Sequence, residues 1–207
     1  MTNIGLLGAV SVGKTSILRL FVKYLKKNMI ETIEGGKACD VNKTDFSGET
    51  VLNPSNPETD KETKTVHPNR VMFKEKDNGR AHTVFAPGGD RTWAVVRMGI
   101  ITISRIAKQI VAVFAADRPL KEQFEFFNDV RYFPKQIYLC FNKYDLIKED
   151  DKEKFLKDYQ EKVEAFFGKR KIKIKDVFIT VADTNKEFKE FNDNTVRMIL
   201  DIAKSNA

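Results

Sequence analysis

Apolar residues fall along this chain in two alternating kinds of run. Short, wholly apolar stretches at 4–7, 110–116, 136–141 and 177–181 read as buried strands. Between them lie segments whose apolar positions recur at helical spacing: 15–27, 90–108, 120–133, 152–167 and 186–204. In the first of these, Ile17, Leu18, Phe21, Tyr24 and Leu25 share a face, and lysines occupy the last turn. Two further strands, 70–76 and 81–86, flank Asn78-Gly79, a two-residue hairpin signal. The resulting order, β-α-β-β-α-β-α-β-α-β-α, predicts an α/β fold in one domain spanning 1–207. Its sheet is expected to be six-stranded and mostly parallel, with helices on both faces and one antiparallel strand from the hairpin. Sheets of this kind bind ligands beyond the carboxyl ends of their strands.

Three stretches depart from this rhythm. Residues 31–64 are rich in Gly, Asn, Asp, Thr and Pro and sustain no period, which fits either a functional loop or a passive insertion. In 90–108, Trp93, Val96, Ile100 and Ile103 form one apolar stripe, while Val95, Met98, Ile101 and Ile106 lie off it. A surface helix needs one such face, so the second implies either a partner or cover from the insertion. The basic run GKRKIKIK, 168–175, alternates Lys and Ile, as a protected edge strand does.

Composition narrows the class. With 207 residues, 42% hydrophobic and 31% charged, the chain is an ordinary globular one with a substantial core. No apolar run approaches the roughly 20 residues that span a bilayer. The ends show no basic leader and no cysteine for a lipid, so a cytoplasmic protein without membrane span or lipid anchor is expected. Cys39, in a polar stretch, and Cys140, in QIYLCF, suggest no disulfide framework, and with two histidines they offer no zinc spacing. His67 and His82 read as strand-end or surface residues. The formal charge of +7 would suit a polyanion, but the edge-strand reading of 168–175 accounts for its densest part, and no nucleic-acid partner is expected.

Chemistry enters at GAVSVGKT, residues 8–15, which matches G-x-x-x-x-G-K-[ST] between a strand and a helix. Glycines let the backbone curl so that its N–H groups converge on phosphate oxygens, and the helix N-terminus adds partial positive charge. Lys14 is placed to reach the β- and γ-phosphates and Thr15 to offer its hydroxyl to Mg²⁺. The nucleotide-contacting set at this loop is Gly8, Ser11, Val12, Gly13, Lys14, Thr15 and Ser16, the Ser16 side chain reading as an ordinary helix residue rather than a metal ligand. A second motif, Asn142-Lys143-Tyr144-Asp145, follows the strand QIYLCF. The Asp145 carboxylate can accept from guanine N1–H and the 2-amino group together, whereas adenine presents an acceptor at N1 and would leave it unpaired. Lys143 can lie along the base plane, and Asn142 can tie this loop to the phosphate loop.

With both motifs in one chain, the sequence resembles a small GTPase of the Ras superfamily over nearly its whole length. The stretch HTVFAPGGDRTW is similar to the prokaryotic MglA-like and Arf-like branch, whose second phosphate loop carries a Pro-Gly pair. The resemblance implies a Ras-like P-loop GTPase fold, binding of GTP and GDP with Mg²⁺, and an enlarged first switch at about 31–65. It assigns Ala182, in Thr180-Val181-Ala182, a backbone N–H to guanine O6, and Gly88 an N–H to the γ-phosphate. For the switch threonine that completes the Mg²⁺ shell, Thr63 and Thr65 compete, and Thr65 is favoured because it lies nearer the strand and precedes an apolar residue; Thr32 is too close to the first helix.

The same comparison shows two departures. Phe85 stands where an Asp normally holds Mg²⁺ through water, and Gly89 stands where a Gln normally orients the attacking water. Asp90 is a poor substitute beside a γ-phosphate, and Asp117 either recovers some metal contact or serves its loop. Two functions therefore stand side by side. One is a signalling switch that hydrolyses GTP slowly with Lys14, Thr65 and Gly88 as its catalytic set, helped by an activating or effector protein docking on the switch regions and helix 90–108. The other is a non-hydrolysing GTP-binding scaffold.

Overall fold

In the computed structural model, residues 1–33, 36–46, 67–148, 150, 152–183 and 185–205 are described. Seven strands form one sheet: β1 (Thr2–Leu7), β2 (Cys39–Asp45), β3 (Asn69–Glu75), β4 (Ala81–Ala86), β5 (Gln109–Ala115), β6 (Gln136–Asn142) and β7 (Lys173–Ile179), in the order β2-β3-β4-β1-β5-β6-β7. Among the described residues five α-helices accompany them: α1 (Lys14–Lys26), α2 (Ala94–Ile106), α3 (Leu120–Asn128), α4 (Lys152–Gly168) and α5 (Lys189–Lys204). From β4 through β1, β5 and β6 to β7 every pairing is parallel, while β3 is antiparallel to both β2 and β4. The α/β class with helices on both faces is as expected, but the sheet has seven strands where the sequence pattern predicted six.

The extra strand is β2, inside the stretch read as aperiodic. Its sequence, CDVNKTD, carries no apolar alternation because it is an edge strand, half in water. What places it is pairing with β3. Arg70 Nε donates to Asp45 Oδ2 at 2.9 Å across a register pair, and Lys76 faces Asp40 at 3.3 Å. Only Cys39 is buried, packed beneath α1 with the core rather than lying in a polar surround as its neighbours suggested. At the opposite edge lies β7, which joins the Lys-Ile alternation and the 177–181 run into one strand with Lys173 and Lys175 exposed. Charged edges resist pairing with other chains.

Each inner strand splits its side chains between two cores, as a period of two requires. Ile4 and Leu6, Val111 and Val113, and Tyr138 and Cys140 face α1 and α5. Leu7, Ala112 and Phe114, and Leu139 and Phe141 face α2, α3 and α4, where Phe127 and Phe167 close around Phe114. Burying each such ring contributes about 1.5–3 kcal/mol. Both cores brace β1, β5 and β6, whose carboxyl ends carry the loops after Leu7, Ala115 and Asn142.

Helix α2 starts at Ala94, four residues later than the apolar pattern predicted. Val96, Ile100 and Ile103 are buried as expected of the stripe, but Trp93 sits before the helix and is 50% exposed. Val95, Met98 and Ile106 of the second apolar face are exposed too and Ile101 is half-buried, while most of the insertion considered as its cover lies outside the described residues. Among the described residues no helix is long and apolar enough to cross a membrane.

Candidate functional site

The loop between β1 and α1 is held in a conformation that only its own sequence allows. Gly13 adopts φ 93°, and a Cβ there would lie 2.1 Å from Asn142 Nδ2. Ser11 is also left-handed, at φ 59°, a strain its sequence position did not announce. Helix α1 begins with no side-chain cap and no acidic residue in its first turn, leaving its first N–H groups to a ligand. Val12 is a fully buried core residue that anchors the loop from below, and Ser16 is exposed, an ordinary helix position.

Lys14 is buried and donates through Nζ to the carbonyls of Gly8 and Ala9, both at 2.7 Å. Burial without a counter-anion pushes its ammonium down to about 7. A phosphate group beside it would reverse that shift by restoring a neutralising charge. Thr15 is half-buried at the helix start, and its Oγ1 accepts from the Asn69 side-chain amide at 2.9 Å.

The loop after β6 is tied directly to the phosphate loop. Asn142 is buried, its Nδ2 donating to Val12 O at 3.0 Å and its Oδ1 accepting from Thr180 Oγ1 at 3.0 Å. Thr180 in turn contacts Cys140 Sγ at 3.2 Å; burial raises that thiol to about 12, so Cys140 is an inert core group. Three of the expected site segments, at 8–15, 142–145 and 180–182, therefore meet through one buried asparagine. Each of its bonds contributes about 1 kcal/mol, and a partner left unsatisfied there costs about 1–3 kcal/mol. Lys143 takes a left-handed φ of 63° and reaches Asp117 Oδ2 at 3.0 Å. Asp117 thus supports the loop after β6, where spacing alone left its role open. Asp145 is half-buried, its carbonyl receiving Lys152 Nζ at 3.4 Å, and Ala182 is half-buried against the core.

The second phosphate loop packs on the first. Gly88 is buried just beyond β4, and a Cβ on Gly89 would lie 2.4 Å from both Val10 N and Ala9 C. Phe85 is half-buried and directed into the core under α2, away from Thr15. Arg91 and Arg118 line, with Ala9, Val10 and Gly89, a cleft of about 250 Å³ beside the loop, although Arg91 is engaged by Asp129. Thr65 and Thr63 lie outside the described residues, as do 34–35 and the rest of 47–66 in the expected switch region. Thr32 donates locally to Met29 O at 2.7 Å.

His82 is not a surface residue: it is fully buried in β4, its Nε2 2.9 Å from Glu75 Oε1 and its ring stacked on Phe73. Burial lowers its pKa despite Glu75, and its Nδ1 has no hydrogen-bond partner, as befits a neutral ring protonated at Nε2. Among the described residues no group of three His, Cys, Asp or Glu could hold a metal by itself. The donor set at Thr15 fits instead a Mg²⁺ ion whose remaining ligands are phosphate oxygens and water.

No protein-family model matches this chain, and no curated protein is similar to it in sequence. Solved structures do resemble it in shape. The translation elongation factor SelB from Methanococcus maripaludis, in complex with the GTP analogue GppNHp, matches with TM-score 0.58 at 14% identity over 100% of this chain and 34% of that one. Era, in complex with MgGDPNP and nucleotides of 16S ribosomal RNA, matches with TM-score 0.57 at 14% identity over 98% of this chain and 56% of that one. A bacterial selenocysteine-specific elongation factor, EF-Sec, matches with TM-score 0.53 at 15% identity, covering 97% of this chain and 29% of that one. This chain therefore spans 29–56% of the length of the structures named. At such identities the likeness concerns architecture alone: the chain shares its α/β fold with these structures.

Proposed function

We propose that the protein is a guanine-nucleotide-binding switch that binds GTP and GDP with Mg²⁺ and hydrolyses GTP slowly. The observation that carries this reading is the Asn142–Val12 bond, which joins a phosphate loop to a guanine-type loop at fixed distance. Lys14 binds the β- and γ-phosphates and stabilises charge on the transferred group, and backbone N–H groups from Gly8 to Ser16 and from Gly88 hold its oxygens. Asp145 reads the base edge, Lys143 covers its face with Asp117 holding the ammonium, and Ala182 donates to O6. Bound Mg²⁺ would supply neutralisation of phosphate charge, with the Thr15 hydroxyl and, in this reading, Thr65 as its protein ligands.

The nucleotide in the SelB and Era structures supports this reading for a shared fold. The narrower placement in the Ras superfamily, near MglA-like and Arf-like proteins, rests on the stretch HTVFAPGGDRTW; elongation factors and Era lend it no support. An activating or effector protein docking on the switch regions and on the exposed apolar face of α2 would supply what Gly89 lacks. A ribosomal RNA fragment accompanies Era; in this chain the lysine-rich β7 is read instead as a protected sheet edge.

A second reading, a scaffold that holds GTP without hydrolysing it, is favoured by Phe85 and Gly89. Single-turnover phosphate release separates the two. The switch reading expects release on the order of 10⁻⁴ s⁻¹, abolished by Lys14→Ala. No release over a day, with GTP demonstrably bound, supports the scaffold.

A further inference from the structure

We propose that Asn69, on β3, orients the Thr15 hydroxyl toward a nucleotide-bound divalent cation, in a site where position 85 on β4 carries Phe in place of an acidic residue. The inference rests on the guanine-nucleotide reading above and concerns the metal half of that site.

Strand geometry brings Asn69 to this place. It opens β3 and pairs with Ala86, while its neighbour Arg70 pairs with Phe85. Ala86 faces the core under α1 and Phe85 faces the core under α2. Position 85 is therefore on the wrong side of the sheet for Thr15, and position 69 is on the right one. Asn69 is fully buried, and its Nδ2 lies 2.9 Å from Thr15 Oγ1. A leucine or valine would fill the same volume without desolvating polar atoms, so a buried amide that donates to a hydroxyl at the start of α1 is placed there for its polarity.

The chemistry of a metal-bound hydroxyl calls for that polarity. A threonine that gives a lone pair to a cation keeps its proton, and that proton needs an acceptor on the side away from the ion. A carboxylate is the usual acceptor for such a group, but β4 offers none here. The carboxamide of Asn69 has both a donor and an acceptor on one planar group. With Nδ2 toward Thr15, as found, the hydroxyl is an acceptor and its proton points elsewhere. A half-turn about χ2 presents Oδ1 instead, accepts that proton and frees the oxygen lone pair for the cation. The same buried side chain thus serves both states. Being uncharged, it does so without the attraction a carboxylate would add, so the metal is held less tightly.

The test measures GDP affinity by titration with and without Mg²⁺, the second in chelator, for wild type, Asn69→Ala, Asn69→Asp and Thr15→Ala. The quantity read is the ratio of the two dissociation constants, the metal enhancement. Outer residues that orient a metal ligand typically account for about 10–100-fold in metal affinity. Asn69→Ala is expected to reduce the enhancement about tenfold while changing the affinity in chelator by less than about threefold, and adding it to Thr15→Ala should cost nothing more. Asn69→Asp keeps the shape, so it remains informative if the alanine variant fails to fold. It should raise the enhancement above wild type, by about tenfold, through its added charge. Equal losses with and without Mg²⁺ in Asn69→Ala, or an Asn69→Asp enhancement no larger than wild type, would overturn the proposal and leave Asn69 a packing residue. Wild type binding GDP with no enhancement would overturn the proposal while sparing guanine binding. Wild type failing to bind GDP in either buffer would overturn both.

Discussion

Asp145 and Gly89 mark the two ends of the chemistry that single residues decide. Asp145 presents its carboxylate beyond β6 on a loop that Asn142 fixes to the phosphate loop. Replacing it by Asn removes a charged acceptor of two hydrogen bonds, each worth about 1.5–3 kcal/mol. Asp145→Asn should therefore weaken GTP and GDP binding about a hundredfold or more, and should improve tolerance of xanthine nucleotides, since an amide can donate to xanthine O2. Competition binding with GTP and xanthosine triphosphate checks this, and unchanged GTP affinity would remove Asp145 from the site. Gly89 makes the opposite point. The missing glutamine reads, from sequence, as a simple loss of a side chain. In the structure no side chain could stand there, because a Cβ would lie 2.4 Å from the Val10 nitrogen. Gly89→Ala must push one phosphate loop off the other, at about 1–3 kcal/mol. Its thermal midpoint is expected several degrees below wild type, and by the same argument Gly89→Gln should not produce fast hydrolysis. A melting curve identical to wild type would show that the two loops are not in contact.

At the scale of elements, the β3–β4 hairpin carries a feature with a pH signature. His82 and Glu75 face each other across it, both buried, and burial lowers the histidine's pKa below its unfolded value. The unfolded chain takes up a proton below about pH 6.5 that the folded chain refuses. Stability from this residue is thus complete above about pH 6.5 and is lost as pH falls from there toward the lower folded pKa. Unfolding midpoints should decline between pH 7 and 5.5, and His82→Gln should show a shallower decline from a lower starting point. An equally steep decline in the variant would assign the pH dependence to other groups.

The same hairpin shows what sequence could and could not convey. Asn78-Gly79 announced the turn, and the wholly apolar strands β1, β5 and β6 were legible because both their faces are buried. The phosphate loop was legible because its backbone demands glycine at Gly13, where φ is 93°. Strand β2 was not, since an edge strand half in water has no apolar alternation and is held by Arg70 and Asp45 on distant positions. Nor were Asn69, Asp117 and His82 legible as site or core groups. Their roles depend on partners 54, 26 and 7 positions away, and spacing carries no such information. Trp93 fell off its expected stripe because α2 starts only at Ala94, and helical periodicity does not apply before a helix begins.

For the whole molecule, the sheet is a frame that sets two loops from opposite halves of the chain at one end. Residues 12 and 142 are 130 positions apart and share a 3.0 Å bond because β1, β5 and β6 are parallel neighbours braced from both faces. The net charge of +7 would draw a triphosphate to the protein without choosing its base. Choice of base is what the proposed function assigns to the loop after β6. The most direct test is equilibrium competition against a fluorescent GDP analogue in the presence of Mg²⁺, with GTP, GDP and ATP as competitors and Lys14→Ala as the paired variant. GTP and GDP are expected to displace the probe at concentrations at least about a hundredfold below ATP, and Lys14→Ala to bind none of the three. Equal displacement by ATP, or no binding of the probe by wild type, would contradict the account.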